Sequence, residues 1–400
     1  MRNPLPQSLS HQLPQPDGAA LQHTRACAAM LRTEVANAGG WISFERFMDR
    51  ALYAPGLGYY AAGARKFGTE GDFVTAPEIS ALFGQTLAKS IAGVLRQTGG
   101  DVLELGPGSG KLAKDILCAL DEIGDGDVMP NRYCLLEVSA ELRERQQIEI
   151  STLPVHLAKR ALWLDALPAD FTGMIIANEV LDVIPVHRVC WRNGEILERG
   201  VAVKDGNFVW RDVPIPNTAL RARAMEIGGA YLGPSPVDNY LSEIAPAVGG
   251  LVGSLAHSLK QGAMLLIDYG FRGAEFYHPH RATGTLMCHY RHFAHADPFQ
   301  FPGLQDITAH VDFSLVAGAG IAAGLDLAGY TTQANFLLAS GLTDLLAKVD
   351  PRDAANYLPL TNQVQRLVSP AEMGEFFKAI GFTRGDVSIS AFATARALPL

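Results

Sequence analysis

The sequence predicts an α/β protein: a largely parallel sheet covered by helices on both faces. Three observations carry this. From residue 101 onward, short apolar runs alternate with amphipathic helical stretches, the pattern of strand-helix-strand crossovers. The first run ends in a glycine-rich turn, Glu104-Leu105-Gly106-Pro107-Gly108-Ser109-Gly110, that opens directly into a helix. The second, Tyr133-Cys134-Leu135-Leu136, ends on the acidic Glu137 just before another helix start at Ser139.

Taken in order, residues 1–18 contain Pro4, Pro6, Pro14 and Pro16 without an apolar signal core or an Arg-rich amphipathic pattern, and are expected to be a disordered tail. Residues 19–38 have helical character. Ser43 starts a second helix, with Phe44, Phe47, Met48 and Leu52 on one face, which Tyr53 to Gly58 breaks. Thr75-Ala76-Pro77-Glu78 resembles a capped start for a helix running to about Arg96. Residues 19–97 are therefore expected to form a helical cap and one wall of a pocket. Five strands are expected at Asp101 to Leu105, Tyr133 to Leu136, Ala161 to Leu164, Met174 to Ala177 and Ala263 to Ile267. The chain between the fourth and fifth is too long for one crossover. Arg188 to Trp210 alternates, with turns at Asn193-Gly194 and Asp205-Gly206, so residues 186–259 are expected to be an inserted subdomain containing a β-hairpin and contacting substrate or partner. Helices at about 334–348 and 370–380 and a closing strand from Val387 to Ala395 complete a core of residues 98–185 and 260–400.

Composition narrows the class of function. The chain has 400 residues, 48% hydrophobic and 18% charged, which suits a compact domain rather than a disordered chain. A net charge of −8 argues against a surface made for nucleic-acid phosphates and suits a cationic substrate better. The five cysteines form no Cys-x-x-Cys pair, which fits reduced thiols in the cytoplasm. The Gly- and Ala-rich run from Asp312 to Asp326 is well short of the roughly 20 apolar residues of a membrane span, so no transmembrane helix is expected. Without a transit-like leader, a bacterial host is favoured.

The glycine turn puts backbone without side chains where a ligand must approach closely. Spacing excludes two phosphate loops. A dinucleotide loop would need glycine at Lys111, and a P-loop would need glycine at Leu105 and Ser or Thr at Leu112. The acidic Glu104 before the turn fits a nucleoside cofactor with a cationic amino-acid end. Gly106, Gly108 and Gly110 then form the loop, and Glu137 is the expected acceptor of both ribose hydroxyls. Asp165 is a candidate for the adenine amino group, a surface loop aspartate being the plainer alternative. After the fourth strand come Asn178-Glu179-Val180-Leu181-Asp182, beyond the carboxyl ends of the strands where the transferred group would lie. These are the strongest catalytic candidates, with Asn178 expected against the cofactor, and capping of the turn and the following helix is the alternative for Asn178 and Glu179.

Beyond these residues the chain resembles a known family. Gly71-Asp72-Phe73-Val74-Thr75-Ala76-Pro77-Glu78-Ile79-Ser80, Glu104 to Gly110, Ala177 to Asp182, Ile267-Asp268-Tyr269-Gly270 and Asp306-Ile307-Thr308-Ala309-His310-Val311-Asp312-Phe313 are together similar to the MidA family. Its members are bacterial proteins and the mitochondrial methyltransferase that assists respiratory complex I assembly. The resemblance implies a class I methyltransferase fold: a Rossmann-like, mostly parallel seven-stranded sheet with an N-terminal helical cap and an insertion between the fourth and fifth strands. It implies S-adenosylmethionine as cofactor at Glu104, Gly106, Gly108 and Glu137. For the acceptor it points to a protein arginine, as on a complex I subunit in the mitochondrial relative.

If the acceptor is a guanidinium, carboxylates would orient it by paired hydrogen bonds. Glu179 and Asp182 are the first pair, with His310 as proton acceptor beside Asp306 and Asp312. Capping of a helix by Asp312 is the alternative for that loop. Six histidines between His278 and His310 raise a metal site, but no ligand spacing accompanies them and none is expected. The loop with Tyr290, Arg291 and His292 is instead a candidate for a substrate channel, as are the aromatic Tyr53, Tyr59, Tyr60 and Phe67, for which packing of a small helical cap is the more common alternative. Methylation of a small molecule, or an assembly chaperone that binds the cofactor without essential catalysis, stay open as alternatives. So does oligomeric state, a homodimer included.

Overall fold

The computed structural model describes residues 13–61, 74–124, 126–233 and 239–400. Most of the expected tail, Phe67 and Gly71 to Phe73 therefore lie outside the described residues. At the amino end are α1 (Gly18–Asn37) and α2 (Phe44–Tyr53), the latter capped by Ser43 Oγ, which accepts from Arg46 N at 3.1 Å. The expected single helix from Thr75 is two, α3 (Ala76–Ile79) and α4 (Ala81–Thr98). Ser80 is extended between them (φ −156°, ψ 136°), and its hydroxyl caps α4 by accepting from Leu82 N. A capping serine inside an apparently continuous pattern restarts the helix rather than continuing it.

The central sheet contains β1 (Asp101–Leu105), β2 (Tyr133–Leu136), β3 (Ala161–Leu164) and β4 (Phe171–Asn178). The chain then leaves the sheet for β5 (His187–Arg192), β6 (Glu195–Lys204), β7 (Asn207–Pro214) and β8 (Tyr240–Ile244), with a helix at Thr218–Ile227 between the last two. It returns as β9 (Leu259–Phe271). A small three-stranded sheet follows: β10 (Met287–Tyr290), β11 (Phe293–His295) and β12 (Asp306–Thr308). The central sheet closes with β13 (Asp326–Thr332) and β14 (Phe377–Arg384). Its order is β13-β14-β9-β4-β1-β2-β3, and the two-residue strand Val311–Asp312 adds beside the end of β9 as an eighth member. All pairs are parallel from β9 to β3, while β14 runs antiparallel to both neighbours.

The carboxyl-terminal expectations need correction. The segment 370–380 is helical only over Met373–Phe376, and then extends into β14. The expected strand from Val387 holds instead the short helix Ser390–Thr394. Buried Ala379, Ile380 and Phe382 face opposite sides of a covered sheet, so β14 carries a nearly continuous apolar run that resembles a helix in sequence. The helix expected at 334–348 breaks at Gly341 (φ +85°), and a 15-residue helix at Ala354–Val368 tolerates Pro359 in its interior.

Helices α4 and Lys111–Ile123 cover one face of the central sheet, and Pro246–Ser258 and Phe313–Ala322 the other. Helices α1 and α2 do not touch that core. Cys27, Leu31, Phe44, Phe47 and Met48 pack with Val201 of β6, Cys288 of β10 and Ile307 of β12. The segment Ile42–Ser43 pairs antiparallel with β6, so the amino-terminal cap is joined to the insertion by a shared sheet. Strand order reverses between β1 and β4, which opens a crevice above their carboxyl ends.

Candidate active site

That crevice is a cavity of about 1040 Å³. Its floor is the turn after β1. Gly106 has φ +56°, and a Cβ there would stand 2.9 Å from Val180 Cγ2, so only glycine fits both backbone and neighbour. Gly108 also lines the cavity (φ +53°). Gly110 does not line it; with φ +85° it precedes the helix, and a Cβ there would stand 3.1 Å from Gln146 Cα.

Glu104 is 2% exposed beneath the turn, its Oε2 accepting from Tyr133 Oη at 2.7 Å. Burial pushes its carboxyl up to about 8, against the lowering effect of the Tyr133 hydrogen bond. Glu137 ends β2 and is held from two sides. Ser139 N donates to Oε1 at 2.8 Å, and Gln146 Nε2 donates to Oε2 at 3.0 Å. The same Gln146 amide donates to Gly108 O at 2.9 Å, while Trp163 Nε1 donates to Gln146 Oε1 at 3.0 Å. Gln146 thus ties the glycine turn to the Glu137 carboxylate, a link with no signature in local sequence. Beside it Val138 is 84% exposed, an apolar surface open to a flat ligand. Asp165 is elsewhere: it does not line the cavity and pairs with Arg143 at 2.9 Å.

The opposite wall is the loop after β4. Glu179 has φ +57°; its amide donates to Ile267 O at 2.9 Å, and its Oε1 accepts from Ala76 N at 3.0 Å and Asn178 Nδ2 at 2.9 Å. Burial lifts its carboxyl to about 8 and that of Asp182 to about 6, with the Tyr269 hydroxyl opposing the rise at Asp182. Tyr53 and Tyr60 stack at 5.5 Å on this side, and Tyr60 Oη donates to Asp306 Oδ1 at 3.1 Å. Met287 and His289 of β10 with Asp306 and Thr308 of β12 complete the wall. Tyr59 instead belongs to the core, 1% exposed. Asp312 lies outside the cavity and caps the helix Phe313–Ala322, accepting from Ser314 N at 3.0 Å.

His310 lines the cavity between the rings of Tyr269 and Phe271. Burial, then Arg281 and Lys378, lower its basicity to about 4. A neutral imidazole so depressed is a poor proton acceptor, against the expectation for this residue. No group of three or more His, Cys, Asp or Glu arranged to hold a metal occurs among the described residues.

The cavity's charge is one-sided. Glu78, Glu104, Glu137, Glu179, Asp182 and Asp306 line it, and among its described lining residues there is neither Lys nor Arg. Asn178 Oδ1, Asp182 Oδ1 and His310 Nδ1 are buried with no hydrogen-bond partner among the described residues. Buried acceptors without donors call for a ligand that brings donors and positive charge. A nucleoside with hydroxyls, a sulfonium and an ammonium group meets that demand at the Glu104 and Glu137 end.

Comparisons with known proteins agree with this geometry. A family model described as "Putative S-adenosyl-L-methionine-dependent methyltransferase" matches residues 86–331. The "Protein arginine methyltransferase NDUFAF7, mitochondrial" of Bos taurus is 30% identical over 382 residues, covering 84% of this chain and 79% of its own. The homolog in Drosophila melanogaster is 28% identical over 404 residues, covering 90% of this chain and 85% of its own. A crystal structure of a superfamily member from Burkholderia thailandensis, bound to S-adenosyl-homocysteine, is 49% identical with a TM-score of 0.90, over 96% of this chain and 98% of that one. The chain belongs to the MidA-like family of S-adenosylmethionine-dependent methyltransferases, with the α/β fold of those enzymes and S-adenosylmethionine as its cofactor.

Proposed function

We propose that this enzyme methylates an arginine side chain of a protein, and that its sheet is of the class I type. The observation that carries the acceptor reading is the cavity wall: six carboxylates and no lysine or arginine among its described residues, with Asp182 Oδ1 and Asn178 Oδ1 lacking donors. A guanidinium supplies five N–H donors and a permanent charge. An acceptor bearing phosphate or carboxylate would find carboxyl groups and no Lys or Arg among the described lining residues. The names of the eukaryotic relatives, protein arginine methyltransferases, support the same choice. The class I reading rests on the order of the seven-strand path and the antiparallel β14.

S-adenosylmethionine, when bound, supplies a methyl group activated by a positive sulfur. The chain's own residues do the rest. Glu137 holds the ribose, and Gly106 and Gly108 let the backbone lie against the ligand. Asp182 and Glu179 orient the acceptor nitrogen, while Tyr53, Tyr60 and Tyr269 wall the site from water. In-line displacement needs little more than nucleophile and methyl held close, aligned and dry. The cap and insertion, joined by Ile42–Ser43 and β6, flank the acceptor side and are assigned to protein contact. The complex I subunit suggested by the resemblance is the first acceptor to test, and the cytoplasm is the assigned compartment, in keeping with five cysteines that form no disulfide.

The experiment is to add S-adenosylmethionine labelled in its methyl group, with the purified enzyme, to extract from cells lacking it. The expected result is a labelled protein that yields methylarginine on hydrolysis. Label confined to metabolites, or a protein labelled at another residue type, rejects the arginine reading.

A further inference from the structure

We propose that Asp268, which does not line the cavity, is a positioning residue for methyl transfer: it fixes the loop that presents Glu179 and Asp182 to the acceptor. The side chain is 0% exposed near the end of β9, where that strand pairs with β4. Its Oδ2 accepts three successive amides of the loop, Val180 N at 3.1 Å, Leu181 N at 2.8 Å and Asp182 N at 3.3 Å. Its Oδ1 accepts Tyr269 N at 2.8 Å. Three consecutive amides turned toward one oxygen form a nest, and here the acceptor that fills it is part of the protein.

The rest of the loop is fixed by the same strand. Ile267 O accepts from the amide of Glu179, the residue held at φ +57°. An L-residue in that region is strained and persists only where its surroundings determine it. The Tyr269 hydroxyl is hydrogen-bonded to the Asp182 carboxylate. Ala309 N donates to Asp182 O at 2.9 Å, which pins the loop to the segment after β12. Successive residues of β9, Ile267, Asp268 and Tyr269, therefore hold Glu179, the loop backbone and the Asp182 side chain. Without the Asp268 carboxylate the three amides lose their common acceptor, and the left-handed turn at Glu179 loses what holds it.

This role is independent of which acceptor is methylated. It predicts that Asp268→Asn folds and binds cofactor but transfers slowly. The amide oxygen can keep the three loop amides only with its NH2 against the Tyr269 N–H, or keep Tyr269 N only with its NH2 against the three, so either orientation sets donor against donor and shifts the loop. Misplacement of a reacting group by about 1 Å is enough for a loss on the order of 10²-fold. Rate of label transfer into extract, with S-adenosylhomocysteine affinity by calorimetry as companion, should show a fall of at least about tenfold with affinity within about threefold.

A second readout separates positioning from mere stabilisation and needs no acceptor. The Asp182 carboxyl faces Asp268 and Tyr269 on β9, Glu179 on its own loop, and Tyr53 and Tyr60 on the amino-terminal cap. Its titration, near pH 6 in the native protein, is held down against burial by the Tyr269 hydroxyl and the amides of Asp182 and Val183, so it should move to higher pH when Asp268→Asn lets the loop shift off them. Carbon-13 carboxyl resonances of labelled aspartate report this, with Asp182→Asn giving the assignment. The proposal is overturned by an Asp268→Asn enzyme that transfers at the native rate, by one that loses cofactor affinity along with activity, or by an unmoved Asp182 titration.

Discussion

Replacing Glu137 by glutamine tests the cofactor end of the site most directly, because the frame around it fixes the polarity of every partner. Ser139 N and Gln146 Nε2 both donate to the Glu137 carboxylate. A glutamine there offers one acceptor and one NH2. Whichever way it turns, the NH2 faces another donor. Gln146 cannot relieve this by flipping, since its own oxygen is held by Trp163 Nε1 at 3.0 Å and its NH2 by Gly108 O at 2.9 Å. One buried donor left unmade costs about 1–3 kcal/mol of folding stability. On binding, hydrogen bonds to a charged acceptor contribute about 1.5–3 kcal/mol each against about 0.5–1.5 for a neutral one. Losing that advantage at the ribose hydroxyls amounts to about 1.5–3 kcal/mol, or roughly 10- to 150-fold in Kd. Titration calorimetry with S-adenosylhomocysteine at fixed salt measures it. A folded Glu137→Gln protein whose Kd stays within threefold of native would refute the ribose role and the hydrogen-bond argument together.

Gly106→Val places a β-branched residue at φ +56° against Val180, so S-adenosylmethionine should no longer raise the melting temperature; at 100 times Kd the native protein gains about 2.7 kcal/mol. Glu104 and Glu179 titrate near 8 in the folded state, above the ordinary carboxylate range. The folded protein therefore holds protons that the unfolded chain has released, and stability of the ligand-free enzyme should fall as pH rises from about 5 through 8. Glu104→Gln should flatten that slope in melts across pH, and an unchanged slope would exclude Glu104 as its source. Asp182→Asn should abolish the acid limb of the transfer rate near pH 6 while His310→Asn leaves its midpoint in place; the reverse pattern would restore His310 as the base.

The end of the cavity at the glycine turn was legible in sequence because it is local. Strands β1, β2 and β3 fall on the residues expected, and Glu104, Gly106, Gly108 and Glu137 follow from where two strands end. Asp165 fails for a reason of distance: it follows β3 as expected, but its carboxylate turns outward to Arg143. The acceptor half was less legible because it is assembled from afar. Tyr53 and Tyr60, Asn178 to Asp182, Met287, His289, Asp306 and His310 meet only once the cap, insertion and small sheet have packed together. Strand ends were short for a related reason. Phe171 to Gly173 and Asp268 to Phe271 break the apolar run, yet pairing with neighbouring strands carries the backbone through them. Asp268 shows the cost of that omission, since a carboxylate at the end of a buried strand looks like a turn residue until its four amide donors are in view.

The fate of one proton links the acidic wall to the chemistry. A methylated guanidinium remains a cation at neutral pH, so transfer to an arginine must release a proton, and some group has to take it before solvent does. His310 has an unpartnered Nδ1 in the cavity, but a proton there would add a third positive charge to Arg281 and Lys378. Asp182 has the opposite surroundings. Its unpartnered Oδ1 lies in a wall that already contains Glu179, and burial favours its neutral form. A carboxyl near 6 stays mostly ionised at neutral pH, ready to orient the incoming cation, yet accepts a proton far more readily than an ordinary aspartate. On the proposed arginine reading, both tasks, holding the guanidinium and receiving its proton, fall to Asp182, with His310 a neutral part of the aromatic wall.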